Sequence, residues 1–284
     1  MSNASVRDSL SSAPPLTLDG SPILHQMFQI NWKAWRQLNA DTQRDVTHEA
    51  ASALGELKNT APFAMLGHKG DLMFIHFRET FDQLHQAQSL VARLRLSDFL
   101  EPTTSYVSVV ELGLYDSTVK LHASATQRGI APSTPEWEKE MAEGLEISRK
   151  AMAQRLTGEI PRRRYHCFYP MDKKRDGQDN WYSLPITERK DLMIDHGKIG
   201  RKYAGAVTQI ISGSIGFDNW EWGVDLFADE PLVFKKLIYE MRFDEASARY
   251  AGFGPFYLSL QFEASDLGKL MQGETPGFTE KQAA

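Results

Sequence analysis

Residues 191–203, DLMIDHGKIGRKY, run on into residues 206–229, AVTQIISGSIGFDNWEWGVDLFAD. The first stretch is a charged amphipathic segment with His196 towards its end, and Gly197 and Gly200 permit close approach beside it. The second reads as two β-rich segments, VTQIISGSIGF and EWGVDLFA, paired across Asp218 and Asn219. Working outward, RYHCFYP (164–170) is a strand, Thr187 to about Tyr203 a helix, Pro231 to Arg242 a second helix, and GFGPFYLSLQF (252–262) a closing strand. Strand, helix, hairpin, helix, strand is the split βαβ order of a ferredoxin-like unit.

The first half repeats that order. LHQMFQINW (24–32) alternates as a strand, and Asp41 is placed to cap a helix through roughly Leu57. APFAMLG and DLMFIHF form a hairpin around Gly70, Thr80 to Leu96 is helical, and TSYVSVVEL (104–112) is a strand. The expected fold class is therefore α+β, with duplicated ferredoxin-like units over 23–116 and 164–265 packed sheet against sheet as a dimeric α/β-barrel-type domain. Residues 117–163 form a linker with a bridging helix from Pro135 to Arg155, whose Trp137, Met141, Leu145 and Met152 recur at helical spacing. The Ser- and Pro-rich residues 1–22 read as a flexible arm, and 266–284, with little apolar content, as a flexible tail.

At 284 residues, 42% hydrophobic and 24% charged, the chain has the composition of a globular protein with a substantial core. A net charge of −5 leaves no basic footprint for nucleic acid. No run of about 18 apolar residues is present to span a bilayer, and the N-terminus lacks the apolar region of a secretory signal. The single cysteine, Cys167, excludes an internal disulfide framework and fits a cytoplasmic location.

Read residue by residue, the chemistry is sparse. Of eight histidines, His25, His76 and His166 fall in strands, while His48, His85 and His122 lie in helical or linker sequence without a paired ligand. No HExxH, His/Cys cluster or carboxylate pattern indicates zinc or calcium, and GSIGF does not lead a strand into a helix as a phosphate loop would. Alone, His196 is a histidine favoured by the C-terminal dipole of its helix, Gln209 a solvent-facing strand residue, Tyr169 a packing residue before a proline, and MDKKR a solvated turn. Nothing between Ile23 and Tyr115 offers a candidate for chemistry.

In combination these segments say more. DHGKIGRKYAG, the preceding RYHCFYPMDKKRDGQDNWYSLPITERKDLMIDHG and the following YEMRFDEASARYAGFGPF closely resemble the chlorite dismutase superfamily. Within it, the nearest likeness is to the coproheme decarboxylase branch. The likeness is dense from Arg164 to Phe256 and faint before. It implies that His196 is the axial ligand of a haem iron. Gln209 occupies the distal position thirteen residues later, where chlorite-degrading relatives carry arginine. A neutral amide can hydrogen-bond a distal ligand but cannot hold an anion as a cation does.

The resemblance makes Tyr169 the redox-active phenol, Lys173 a proton donor or propionate partner and Met171 a wall of the pocket. It places Arg155 and Ser247 on propionates and makes Trp181 an off-pathway radical site. The implied reaction uses hydrogen peroxide to remove two propionate carboxyls from iron coproporphyrin III (coproheme), at once substrate and redox centre, giving haem b. The superfamily also implies a ring-shaped homo-oligomer, commonly a pentamer. The rival readings are a chlorite-degrading or peroxidase-like enzyme on bound haem b, and a non-enzymatic haem carrier or sensor.

Overall fold

A computed structural model describes residues 13–279. In chain order it runs β1 (Thr17–Ile30), α1 (Trp32–Trp35), α2 (Ala40–Glu56), β2 (Thr60–Leu66), β3 (Leu72–Phe77), α3 (Phe81–Arg93), β4 (Leu100–Gly113), α4 (Tyr115–Gln127) and α5 (Pro135–Leu156). The second half follows as β5 (Tyr165–Lys173), α6 (Ile186–Lys202), β6 (Thr208–Gly213), β7 (Trp222–Ala228), α7 (Leu232–Met241), α8 (Glu245–Ala248), β8 (Ala251–Phe253), β9 (Tyr257–Gln261) and α9 (Leu267–Met271). The class is α+β, built on one large antiparallel sheet.

The strands pair in the order β7-β6-β4-β1-β3-β2-β9-β5-β8, and β5 also pairs with β7. That last pairing returns the order on itself, with β8 appended to β5. Because successive side chains alternate across a strand, each one sends residues to the inside and to the outside of this closed path. Ile23, Met27, Phe63, Met73, Ile75, Tyr106, Phe168 and Phe227 meet inside as one apolar cluster. The outer faces carry two helical layers. Phe74, Leu72 and Phe28 pack with Val46, Leu54 and Val91 of α2 and α3, while Tyr169, Val224 and Leu226 pack with Ile199, Leu237 and Met241 of α6 and α7. Strands covered on both faces need apolar residues at almost every position, and β3, LMFIHF, is buried at all six.

Local chemistry sets the boundaries. Thr80 caps α3 by accepting the Gln83 N–H, and Thr134 precedes Pro135 at the start of α5. The cap of α2 is Asn39, which accepts the Thr42 N–H, rather than Asp41. Three expectations shift. β1 begins at Thr17, inside the stretch read as an arm, because Leu18 is fully buried with Leu114 and Leu156. Tyr115–Gln127, which begins at the end of the expected first unit and runs into the stretch read as linker, is a helix packed between α5 and α6. The tail holds α9, whose Leu267 and Met271 enter the core and whose Met271 carbonyl accepts the Trp35 indole N–H at 2.8 Å. The remaining parts of the expected arm and tail, residues 1–12 and 280–284, lie outside the described residues. Among the described residues no helix is long and apolar enough to cross a membrane.

Candidate functional site

Helix α6, through Ile199 and with Tyr203 just past its end, packs with outer-face residues of β5 and β7, and His196 stands one turn before Ile199. Its imidazole Nδ1 is 3.1 Å from Oδ2 of Asp244. A carboxylate only accepts, so Nδ1 carries the proton and Nε2 keeps its lone pair for another partner. Asp244 is fixed in turn as the cap of α8, where its Oδ1 accepts the Ser247 N–H at 3.1 Å. Burial pushes the Asp244 carboxyl up, but its hydrogen bonds with His196 and Ser247 outweigh it and leave the group below the usual carboxylate range. Ser247, expected on a propionate, is buried with its Oγ 3.5 Å from His196 Nδ1.

The sheet supplies the opposing side. Tyr169 pairs with Val224 and Gln209 with Leu226, and Val224 and Leu226 belong to the outer cluster that contains Tyr169. Tyr169 and Gln209 therefore share one face of the sheet, across the β7 strand that separates them, and that is the face α6 covers. The Tyr169 ring lies 4.6 Å from Phe256 and 5.9 Å from Phe253 between centroids. Burial holds its phenol far above the ordinary tyrosine value, with Cys167 adding to the shift and Arg242 opposing it. Met171 is half-buried in the same cluster. Gln209 and the exposed Arg155, in the last turn of α5, line one cavity of about 220 Å³ together with Gln154, Thr208 and Ile211.

Lys173 turns elsewhere. Its ammonium donates to the Ala246 carbonyl at 3.1 Å and lies 4.3 Å from the Trp181 ring. Desolvation lowers its pKa to about 8 against the opposing pull of Asp244. Trp181 itself is fully buried among Ala246 and Tyr250. The predicted residues thus fall into three groups: His196 with Ser247 and, through α8, Lys173 and Trp181; Tyr169 with Met171; and Gln209 with Arg155. A larger cavity, about 710 Å³ between α2 and residues 263–272, contains none of them.

Sequence reasoning missed Asp244, although an acidic residue ahead of EASA is an ordinary helix-start signal. It also missed Arg242, whose guanidinium sits 3.9 Å from the Phe253 ring beside Tyr169. The sequence marks His25 and His166 only as strand histidines and offers no carboxylate pattern for zinc or calcium, and here the fold adds what the sequence does not show. Both imidazoles meet Asp225 in the interior of the closed sheet, brought together by strands distant in sequence.

The donor set fits an iron porphyrin. An oriented imidazole nitrogen suits the metal, an apolar face with an aromatic edge suits the macrocycle, and the Arg242 guanidinium on Phe253 is a cation at that edge.

Residues 39–262 match the family model described as chlorite dismutase. The "Putative heme-binding protein" of Natronomonas pharaonis is 42% identical over 275 residues, which cover 92% of this chain. The chain spans 42% of that relative's length. A heme-binding protein from Thermus thermophilus has a similar structure, with a TM-score of 0.77 and 36% identity over 91% of this chain and 98% of the other. A chlorite dismutase variant from Candidatus Nitrospira defluvii shares the fold, with a TM-score of 0.67 and 18% identity over 89% of this chain and 95% of the other.

Proposed function

The chain belongs to the chlorite dismutase family, and we propose that it catalyses the hydrogen-peroxide-dependent oxidative decarboxylation of coproheme to haem b. The observation that carries this reading is the shared face of Tyr169 and Gln209 beneath the helix that bears His196. An oxidisable phenol and a neutral distal amide suit chemistry on the porphyrin's own side chains. An anionic oxychlorine substrate would call for a cation at Gln209.

His196 Nε2 would hold the iron, with Asp244 fixing the ring and strengthening the donor. Iron porphyrin, when bound, supplies the oxidising power for reaction with peroxide. Tyr169 would give up a hydrogen atom from its phenol and then take one from the β-carbon of a propionate. In each round one propionate, one peroxide and one proton become a vinyl group, one carbon dioxide and two waters. Met171 would bound the reacting group, and Gln209 would hydrogen-bond the distal ligand. Arg155, joined by Ser247, would orient carboxylates, since a guanidinium fork matches a carboxylate bidentately.

Lys173, lowered to about 8, would hold a proton it can release near neutrality. A cytoplasmic homo-oligomer, pentameric by resemblance, completes the reading. Exposed Ile147, Leu232, Tyr239 and Phe243 offer apolar surface for such association.

Tyr169→Phe tests the assignment. It should bind coproheme as the parent does and leave its propionates intact when peroxide is added. Normal turnover by this variant would remove Tyr169 from the mechanism. A haem carrier without turnover is the second reading, favoured by the heme-binding names of the two relatives above 30% identity. It requires that porphyrin mass stay unchanged after peroxide.

A further inference from the structure

We propose that His25, His166 and Asp225 hold a divalent transition-metal ion of the zinc class inside the closed sheet, apart from the porphyrin site. His25 lies on β1 in the first half of the chain, and His166 and Asp225 lie on β5 and β7 in the second. The Nε2 atoms of both imidazoles are 2.8 Å from the same oxygen, Oδ1 of Asp225, and all three side chains are fully buried.

A second observation bears on the cluster: Asp225 Oδ2 is buried without a hydrogen-bond partner. A buried carboxylate oxygen left unpaired is costly, and bidentate ligation of a metal would engage it. Ser259 Oγ lies 3.1 Å from His166 Nδ1 and can accept its N–H, which would direct the Nε2 lone pair at the centre of the cluster. A metal ion would take the place of the protons through which the two Nε2 atoms otherwise donate to Asp225 Oδ1, releasing them as it binds. The rings are already held in place: Phe168 stacks on His25 at 4.2 Å, and Phe63 and Phe227 flank His166 at 4.8 and 4.7 Å.

Two imidazoles and a carboxylate form a borderline donor set that favours zinc or its first-row neighbours over calcium or magnesium. Such an ion would tie β1 to β5 and β7 and so clip the two halves together. In so closed a setting it would enter during folding.

The test uses the full chain without porphyrin, refolded from denaturant with zinc or with chelator. About one zinc per chain should survive dialysis against EDTA, and the zinc-refolded protein should melt higher. Asp225→Asn and His25→Gln should lower retained zinc at least tenfold, whereas His196→Ala should retain it. Should the interior variants fail to fold, the parent chain still decides. Cobalt refolding should give visible bands of a nitrogen and oxygen site, and anomalous diffraction should place the ion between the three residues. Parent protein refolded in excess zinc or cobalt that keeps less than about a tenth of an equivalent overturns the proposal and leaves a proton as the occupant. Zinc retained equally by His25→Gln and the parent also overturns it.

Discussion

Asp244 Oδ2 accepts a hydrogen bond from His196 Nδ1 at 3.1 Å while its Oδ1 caps the short helix α8 at Ser247. One carboxylate thus sets both the orientation of the proposed iron ligand and the start of the helix beside it. Asn caps nearly as well as Asp but carries no charge. Asp244→Asn should therefore leave the thermal midpoint close to the parent's while lowering porphyrin affinity or turnover by about 10- to 100-fold. An absorption titration with coproheme, paired with a melting curve, checks both halves of the statement.

His196→Ala should abolish the axial bond and leave the sheet intact, because the ring lies at the margin of the apolar cluster. Exogenous imidazole should restore part of the coproheme absorption spectrum. A variant whose spectrum matches the parent's without imidazole would place the iron elsewhere.

Gln209→Arg would add a second guanidinium to the cavity that Arg155 already lines. Anions should bind the loaded protein more tightly, read as a lower dissociation constant for cyanide or chlorite, and decarboxylation should slow as the neutral amide is lost. An unchanged anion affinity would show that Gln209 does not reach the distal ligand.

Lys173 provides a pH signature. Burial lowers its pKa from the ordinary lysine value of 10.5 to about 8 on folding. Between these values the native chain holds fewer protons than the unfolded chain, so this group makes stability rise with pH across that window. Turnover that needs its proton should decline as pH climbs through about 8. Lys173→Met should remove both trends: denaturant midpoints between pH 8 and 10 should flatten, and the alkaline limb of the rate profile should vanish.

The interior of the closed sheet is tightly filled at Gly223. A Cβ there would stand 2.7 Å from the Tyr106 ring and 3.1 Å from Phe168. Gly223→Ala should cost about 1–3 kcal/mol through overpacking, read from the shift in denaturant midpoint at constant slope.

Much of this architecture was legible in the chain. Alternation in VTQIISGSIGF and EWGVDLFA, and the charged amphipathic run before them, give β6, β7 and α6 within a few residues. Local periodicity carries that information, while Tyr169, His196 and Gln209 are singled out as candidates by the resemblance of the second half alone. Helix α4 was hidden because Tyr115–Gln127 is weakly amphipathic and buries only Thr118 and Ala125. The meeting of His25, His166 and Asp225 was hidden for another reason: His25 and Asp225 are 200 residues apart, and only ring closure of the strands brings them together. One local clue existed, a carboxylate at an inward position of the otherwise apolar strand WGVDLFA. Lys173 shows the opposite limit. Read in a turn beyond the strand 164–170, it instead closes β5, and only packing shows its ammonium bound to the Ala246 carbonyl.

The most direct measurement is the mass of the porphyrin carried by the coproheme-loaded chain as peroxide is titrated in. The account predicts two successive losses, each of one carboxyl group with its accompanying hydrogen, through a three-propionate species to haem b. A porphyrin of unchanged mass, or one that is only bleached, would contradict it.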